Sequence, residues 1–148
     1  MDLVFDIHVL ALVLGGILAA SAIIVAQKPS LGPWIEKLAP FQTLTGLGLI
    51  SLGFVNGIRL IPHITDIFRV NLLLAAVQLT VCGTSILLGA LFGMGPILKF
   101  LAGNAAAERK AQEFVDNVAP YQALIGLVAL ASALLYFLYR FNLMAMAM

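Results

Sequence analysis

The sequence predicts an all-α integral membrane protein: four transmembrane helices forming two parallel-repeat helical hairpins, plus one amphipathic surface helix in the second copy. Three observations carry this. Four apolar runs have the length of a bilayer crossing, charged residues are scarce, and a nine-residue block recurs 80 positions on (119 − 39). Hydrophobic residues make up 62% of the 148 and charged residues only 10%, against about 25% charged in an ordinary soluble domain. So few charges cannot coat a water-facing surface, so much of it must face lipid. A net charge of +1 argues against an electrostatic grip on nucleic acid.

The first run, residues 9–26, has Ser21 as its only polar side chain. Ala20-Ser21-Ala22 resembles a signal-peptide cleavage site, yet Asp2 and Asp6 stand where such a signal needs Lys or Arg. The segment is therefore expected to be retained as the first span. The other spans are residues 41–61, 70–92 and 121–139. At 1.5 Å per residue each covers roughly 30 Å of hydrocarbon. Backbone hydrogen bonding inside a bilayer demands helices for such segments.

Ala39-Pro40-Phe41-Gln42-Thr43-Leu44-Thr45-Gly46-Leu47 reappears as Ala119-Pro120-Tyr121-Gln122-Ala123-Leu124-Ile125-Gly126-Leu127. Upstream, Leu31-Gly32-Pro33 pairs with Met94-Gly95-Pro96 at an offset of 63 (95 − 32), and Ser21–Ile24 lies more weakly on Ser85–Leu88. The difference between the offsets (80 − 63) implies 17 residues inserted in the second copy. A single membrane domain, 1–148, then divides into repeat units 1–62 and 66–148. Two spans per unit make the repeats parallel, unlike the inverted repeats of many alternating-access transporters.

The insert, about residues 103–118, reads as a helix at the membrane surface. Ala107, Ala111, Phe114, Val115 and Val118 share one face, and Glu108, Arg109, Lys110, Gln112, Glu113 and Asp116 take the rest. Arg109, Lys110 and Phe114 are the candidate partner-docking residues; the simpler reading is a solvated elbow, and a lipid-binding helix would be richer in Lys and Arg. Lys28, Lys37, Lys99, Arg109 and Lys110 lie on the connection side. Arg59, Arg69 and Arg140 lie on the terminal side with Asp2, Asp6 and Asp66. The positive-inside rule places the connections in the cytoplasm and both termini outside, as in a bacterial cytoplasmic membrane.

Pro40 and Pro120 suit the first turn of spans two and four, where a missing N–H costs nothing. Gln42 and Gln122 follow at matching places; with Asn71 and Gln78 they form a candidate polar path, or else make interhelical bonds of roughly 0.6–2 kcal/mol each. Gly53 and Gly57 form a GxxxG, while Gly15 with Ala19, Gly16 with Ala20, and Ala129 with Ala133 are small-residue pairs at the same spacing. Such stripes let helix backbones approach closely in lipid. Arg59 and Arg140 are expected to snorkel to the interface, the alternative being a role in binding an anionic headgroup or a partner carboxylate. Trp34, Tyr136 and Tyr139 read as interfacial anchors. The single Cys82 excludes a disulfide within the chain and reads as a small packed hydrophobe.

No Asp or Glu lies at the centre of a span, and no phosphate-binding loop, HExxH, CxxC or nucleophile elbow is present. The expected function is therefore non-enzymatic, without cofactor or metal: a structural or accessory subunit whose partners are the bilayer and other membrane subunits or copies of itself. A small oligomeric channel or passive transporter is the alternative. A haem or quinone anchor on His8 and His63 comes last, because no Cys or carboxylate supports such a pair.

Overall fold

The computed structural model describes the backbone of residues 3–147 and side chains as far as residue 142; Asp2 lies outside the described residues. Among the described residues every regular element is helical. The chain opens with α1 (Leu3–Ala19), and the first apolar run is not one straight helix. It bends by 62° at Ala20, and α2 (Ser21–Gln27) leaves in a new direction. Ala20 has φ −86° and ψ 3°, the bridge conformation that interrupts a helical ladder. Lys28 ends α2 with φ −138° and ψ 84°, outside the helical region that the residue before a proline avoids.

A 3₁₀ turn, Pro29–Leu31, leads into α3 (Gly32–Leu38). A second, Ala39–Phe41, leads into α4 (Gln42–Leu60), and a third, Ile61–His63, into α5 (Ile64–Val70). Asn71 then breaks the run with φ −154° and ψ 101°, and its side chain accepts from the Leu74 N–H at 3.0 Å. That N-cap starts α6 (Leu72–Phe92) by satisfying one of the free first-turn donors. The chain breaks again at Gly93 (φ −84°, ψ 2°), followed by α7 (Met94–Phe100).

Gly103, with φ +100°, makes the left-handed turn that a side chain would strain. Asn104 caps α8 (Ala105–Val118) through the Ala107 N–H at 3.2 Å. A last 3₁₀ turn, Ala119–Tyr121, joins α8 to α9 (Gln122–Ala147).

Three helical runs, Pro29–Val70, Leu72–Phe92 and Ala105–Asn142, are long and apolar enough to cross a membrane. The bent pair α1–α2 makes a fourth if counted as one crossing. The outer faces carry exposed Leu44, Phe54 and Ile58 on α4 and Leu124, Leu134 and Leu138 on α9. Contiguous apolar surface of this kind marks a lipid- or protein-facing exterior.

Helices α1 and α6 meet along the middle of the bundle, and each packs on both α4 and α9. Val9, Leu12, Leu49, Val81, Leu88, Ala129, Ala133 and Tyr136 are wholly buried between them. The closest crossings use backbone against backbone. A Cβ on Gly89 of α6 would stand 2.5 Å from the Ile50 nitrogen and 2.8 Å from the Gly46 oxygen of α4. A Cβ on Gly126 of α9 would stand 2.7 Å from the Ala19 Cβ and 2.9 Å from the Gly16 oxygen of α1.

The proposed packing stripes are thus partly used. Gly15 packs on Leu49, Gly53 lies against Cys82 and Ile86 of α6, and Gly16, Ala19, Ala20, Ala129 and Ala133 are buried. Gly57 faces open space, with nothing within 4 Å of a Cβ there. The crossing glycines Gly89 and Gly93 also form a GxxxG, which the sequence reading passed over.

The Gly-Pro match falls on unlike elements. Gly32-Pro33 opens α3, the second helix after the Ala20 break, whereas Gly95-Pro96 lies in α7, the first helix after the Gly93 break. The expected amphipathic helix is present as α8, where Ala107, Ala111, Phe114, Val115 and Val118 are half-buried and the charged residues exposed. Instead of standing apart, it continues into α9 as one helical run of 38 residues.

Candidate functional site

Polar side chains gather toward one end of the bundle, running from the first turns of α1 and the second half of α4 to the middle of α6. His8 of α1 is wholly buried. Its Nε2 lies 2.7 Å from the Ser85 hydroxyl of α6, and its Nδ1 lies 3.0 Å from the amide nitrogen of Asn56 on α4. The Ser85 hydroxyl donates to the Val81 carbonyl at 2.7 Å. Having spent its hydrogen there, Ser85 must accept from His8, so Nε2 carries the ring hydrogen and Nδ1 accepts from Asn56. One donor chain, Asn56 to His8 to Ser85 to a backbone carbonyl, ties three helices together. No ring lone pair is left to ligate iron or another metal. Among the described residues, no group of three or more metal-type side chains assembles.

A second network lies beside it. Asp6 of α1 accepts from the Tyr136 hydroxyl and from an Arg140 guanidinium N–H of α9, each at 2.7 Å. The Asp6–Arg140 pair is mostly shielded, with side-chain exposures of 19% and 23%, so it interacts more strongly than a fully wetted pair would. Arg140 is therefore engaged with a carboxylate of its own chain, where snorkelling to the interface was the first expectation and a carboxylate or headgroup partner the second. Tyr136, expected as an interfacial anchor, is wholly buried. Phe5 bridges the networks, its ring centroid 5.7 Å from that of His8 and 5.1 Å from that of Tyr136. Asn71, besides capping α6, donates to the Tyr139 hydroxyl of α9.

A cleft of about 230 Å³ opens at this same end, lined by Phe5, Asn56, Arg59, Leu60, His63, Ile67 and Gln78. Asn56, Arg59 and His63 stand at helical spacing on one wall. Gln78 of α6 presents a buried amide oxygen that has no hydrogen-bond partner among the described residues. His63 is exposed at the rim while His8 lies in the interior behind Asn56.

The four members of the suggested polar path separate. Asn71 and Gln78 lie at this end, whereas Gln42 and Gln122 head α4 and α9 at the other. Helices α4 and α9 pack on α1 and α6 and not extensively on each other, so their glutamines are not brought together as a paired site. Arg109 pairs with Glu113 at 3.0 Å on exposed α8, Lys110 is exposed, and Phe114 is half-buried.

The sequence pointed to His8 only as a remote haem or quinone ligand and to Asp6 only as a terminal charge, and neither was joined to Ser85, Asn56 or Tyr136. The available signal was a polar residue in or beside each of three apolar runs, His8 just before the first, Asn56 in the second and Ser85 in the third. No family model matches the chain, and no curated protein or solved structure resembles it significantly.

Proposed function

We propose that the chain is an accessory subunit of a larger membrane complex, a rigid four-span bundle that offers α8 to a partner. One observation carries the reading. The bundle's interior polar groups are largely spent on each other, while the most charged helix, α8, has no buried residue and makes its main contacts with its sequence neighbours. Exposed charge on an otherwise apolar chain is where water-side recognition has side chains to use. The partner is either an unlike subunit or another copy of this chain.

In this reading the bundle is a duplicated hairpin. The break at Gly93 repeats the break at Ala20 within 2° in φ and 1° in ψ, at an offset of 73 (93 − 20), and a seven-residue helix follows each. The Ala-Pro turns recur at an offset of 80 (119 − 39). The insert is then seven residues (80 − 73), matching the difference in length between α8 and α3 (14 − 7). Seven residues are about two helical turns, so the added length leaves the rotational phase of the following helix nearly unchanged. The positive-inside bias puts α8 in the cytoplasm and the polar end outside.

A channel through a single chain is disfavoured by the glycine crossings and by the separation of Gln42 and Gln122 from Asn71 and Gln78. Proteoliposomes holding only this protein should pass no ion or small solute above the lipid background. Flux that falls on Gln42→Leu or Gln122→Leu would replace the accessory reading with the channel reading.

A further inference from the structure

We propose that the cleft between α1, α4, α5 and α6 binds a phosphate ester that carries a hydroxyl group, such as a glycerophosphate lipid headgroup. The inference rests on the membrane reading and is independent of what α8 docks. The chemistry of the wall selects this ligand class. Arg59 supplies a permanently charged guanidinium whose forked N–H groups suit phosphate oxygens. His63 stands one turn further along the same wall, and the Asn56 amide lies behind it. Gln78 of α6 also lines the cleft, and its buried amide oxygen has no donor among the described residues.

A buried acceptor without a donor is unfavourable, and a ligand hydroxyl supplies what it lacks. Phe5, Leu60 and Ile67 give the cleft an apolar flank for the glycerol carbons and the start of an acyl chain. The neighbouring carboxylate Asp6 is already held by Arg140 and Tyr136, so it does not oppose an anion as an unpaired charge. Asp66, on α5 beyond Ile67, borders an adjoining crevice and not this cleft.

Size agrees as well. About 230 Å³ is below the roughly 300–1,000 Å³ that encloses a whole drug-sized ligand. A headgroup fits while its chains remain in the surrounding bilayer. The cleft lies where α1 begins and α4 ends, the level at which a spanning bundle meets lipid headgroups.

The test is native mass spectrometry of the detergent-purified full chain titrated with phosphatidylglycerol, phosphatidylcholine or glycerol 3-phosphate. One phosphatidylglycerol per chain is expected, bound in preference to phosphatidylcholine. Arg59→Ala and Gln78→Leu should each weaken that binding about tenfold, while Arg109→Ala on distant α8 leaves it unchanged. Gln78→Leu removes no charge, and a melting temperature at or above that of the parent protein shows that its loss of binding is not unfolding. Glycerol 3-phosphate binding as well as the lipid, with the same sensitivity to Arg59→Ala, would support the chemistry and assign the ligand to a soluble ester. Equal binding of both phospholipids, or binding indifferent to Arg59→Ala and Gln78→Leu, would overturn the proposal.

Discussion

At the residue scale, the polar side chains of the apolar helices divide into two kinds. Thr80, Thr84 and Ser132 bond back to carbonyls of their own helices, four residues earlier, and so need no partner from elsewhere. His8, Asn56, Ser85, Asp6, Tyr136 and Asn71 bond across helices. The first kind was legible in the sequence because its partner is local. The second was not, because a partner 48 or 77 positions away depends on the rotational setting of each helix.

This distinction has measurable consequences. Asn56→Leu leaves the His8 Nδ1 buried without its donor and should cost about 1–3 kcal/mol in a denaturant titration. Ser132→Ala, whose hydroxyl serves only its own helix, should cost well under about 1 kcal/mol. Gln78→Leu removes an unsatisfied buried oxygen and should raise stability by about 1 kcal/mol in the same titration. A double-mutant cycle of Asp6→Asn with Arg140→Gln should give a coupling near 1 kcal/mol, since the pair is mostly shielded.

At the scale of elements, hydropathy located the helices and local chemistry set their ends. The caps at Asn71 and Asn104 and the 3₁₀ turns at Pro40 and Pro120 follow from residue type. The bend at Ala20 does not. Alanine is the best helix former, so the residue itself gives no stop signal there, although its backbone angles are close to those of the break at Gly93. Spacing alone also could not say which glycines carry the crossings, because a small-residue stripe names a face without naming the helix opposite. Gly126→Ala forces a Cβ against Ala19 and the Gly16 carbonyl and should destabilise by about 1–3 kcal/mol. Gly57→Ala, facing open space within α4, should instead stabilise by about 0.5–1 kcal/mol through backbone entropy. Thermal unfolding of the two variants side by side checks the assignment.

At the scale of the whole molecule, the helices set a tightly packed middle apart from polar and charged ends. The middle of the bundle is locked by glycine crossings and cross-helix hydrogen bonds, which favours one fixed arrangement over a moving pore. One end gathers polar side chains around a cleft, and α8 projects charge on a helix continuous with α9. A continuous helix transmits position, so a partner held by α8 would be fixed relative to the bundle.

Native mass spectrometry of the complex, extracted gently from its own membrane, tests the accessory role most directly, with Arg109→Glu/Lys110→Glu measured in parallel. An accessory role gives a mass above that of one 15.7 kDa chain, made up by defined further subunits that are lost in the charge-reversed variant. A lone chain carrying only lipid, or an assembly untouched by reversing both charges, would contradict it.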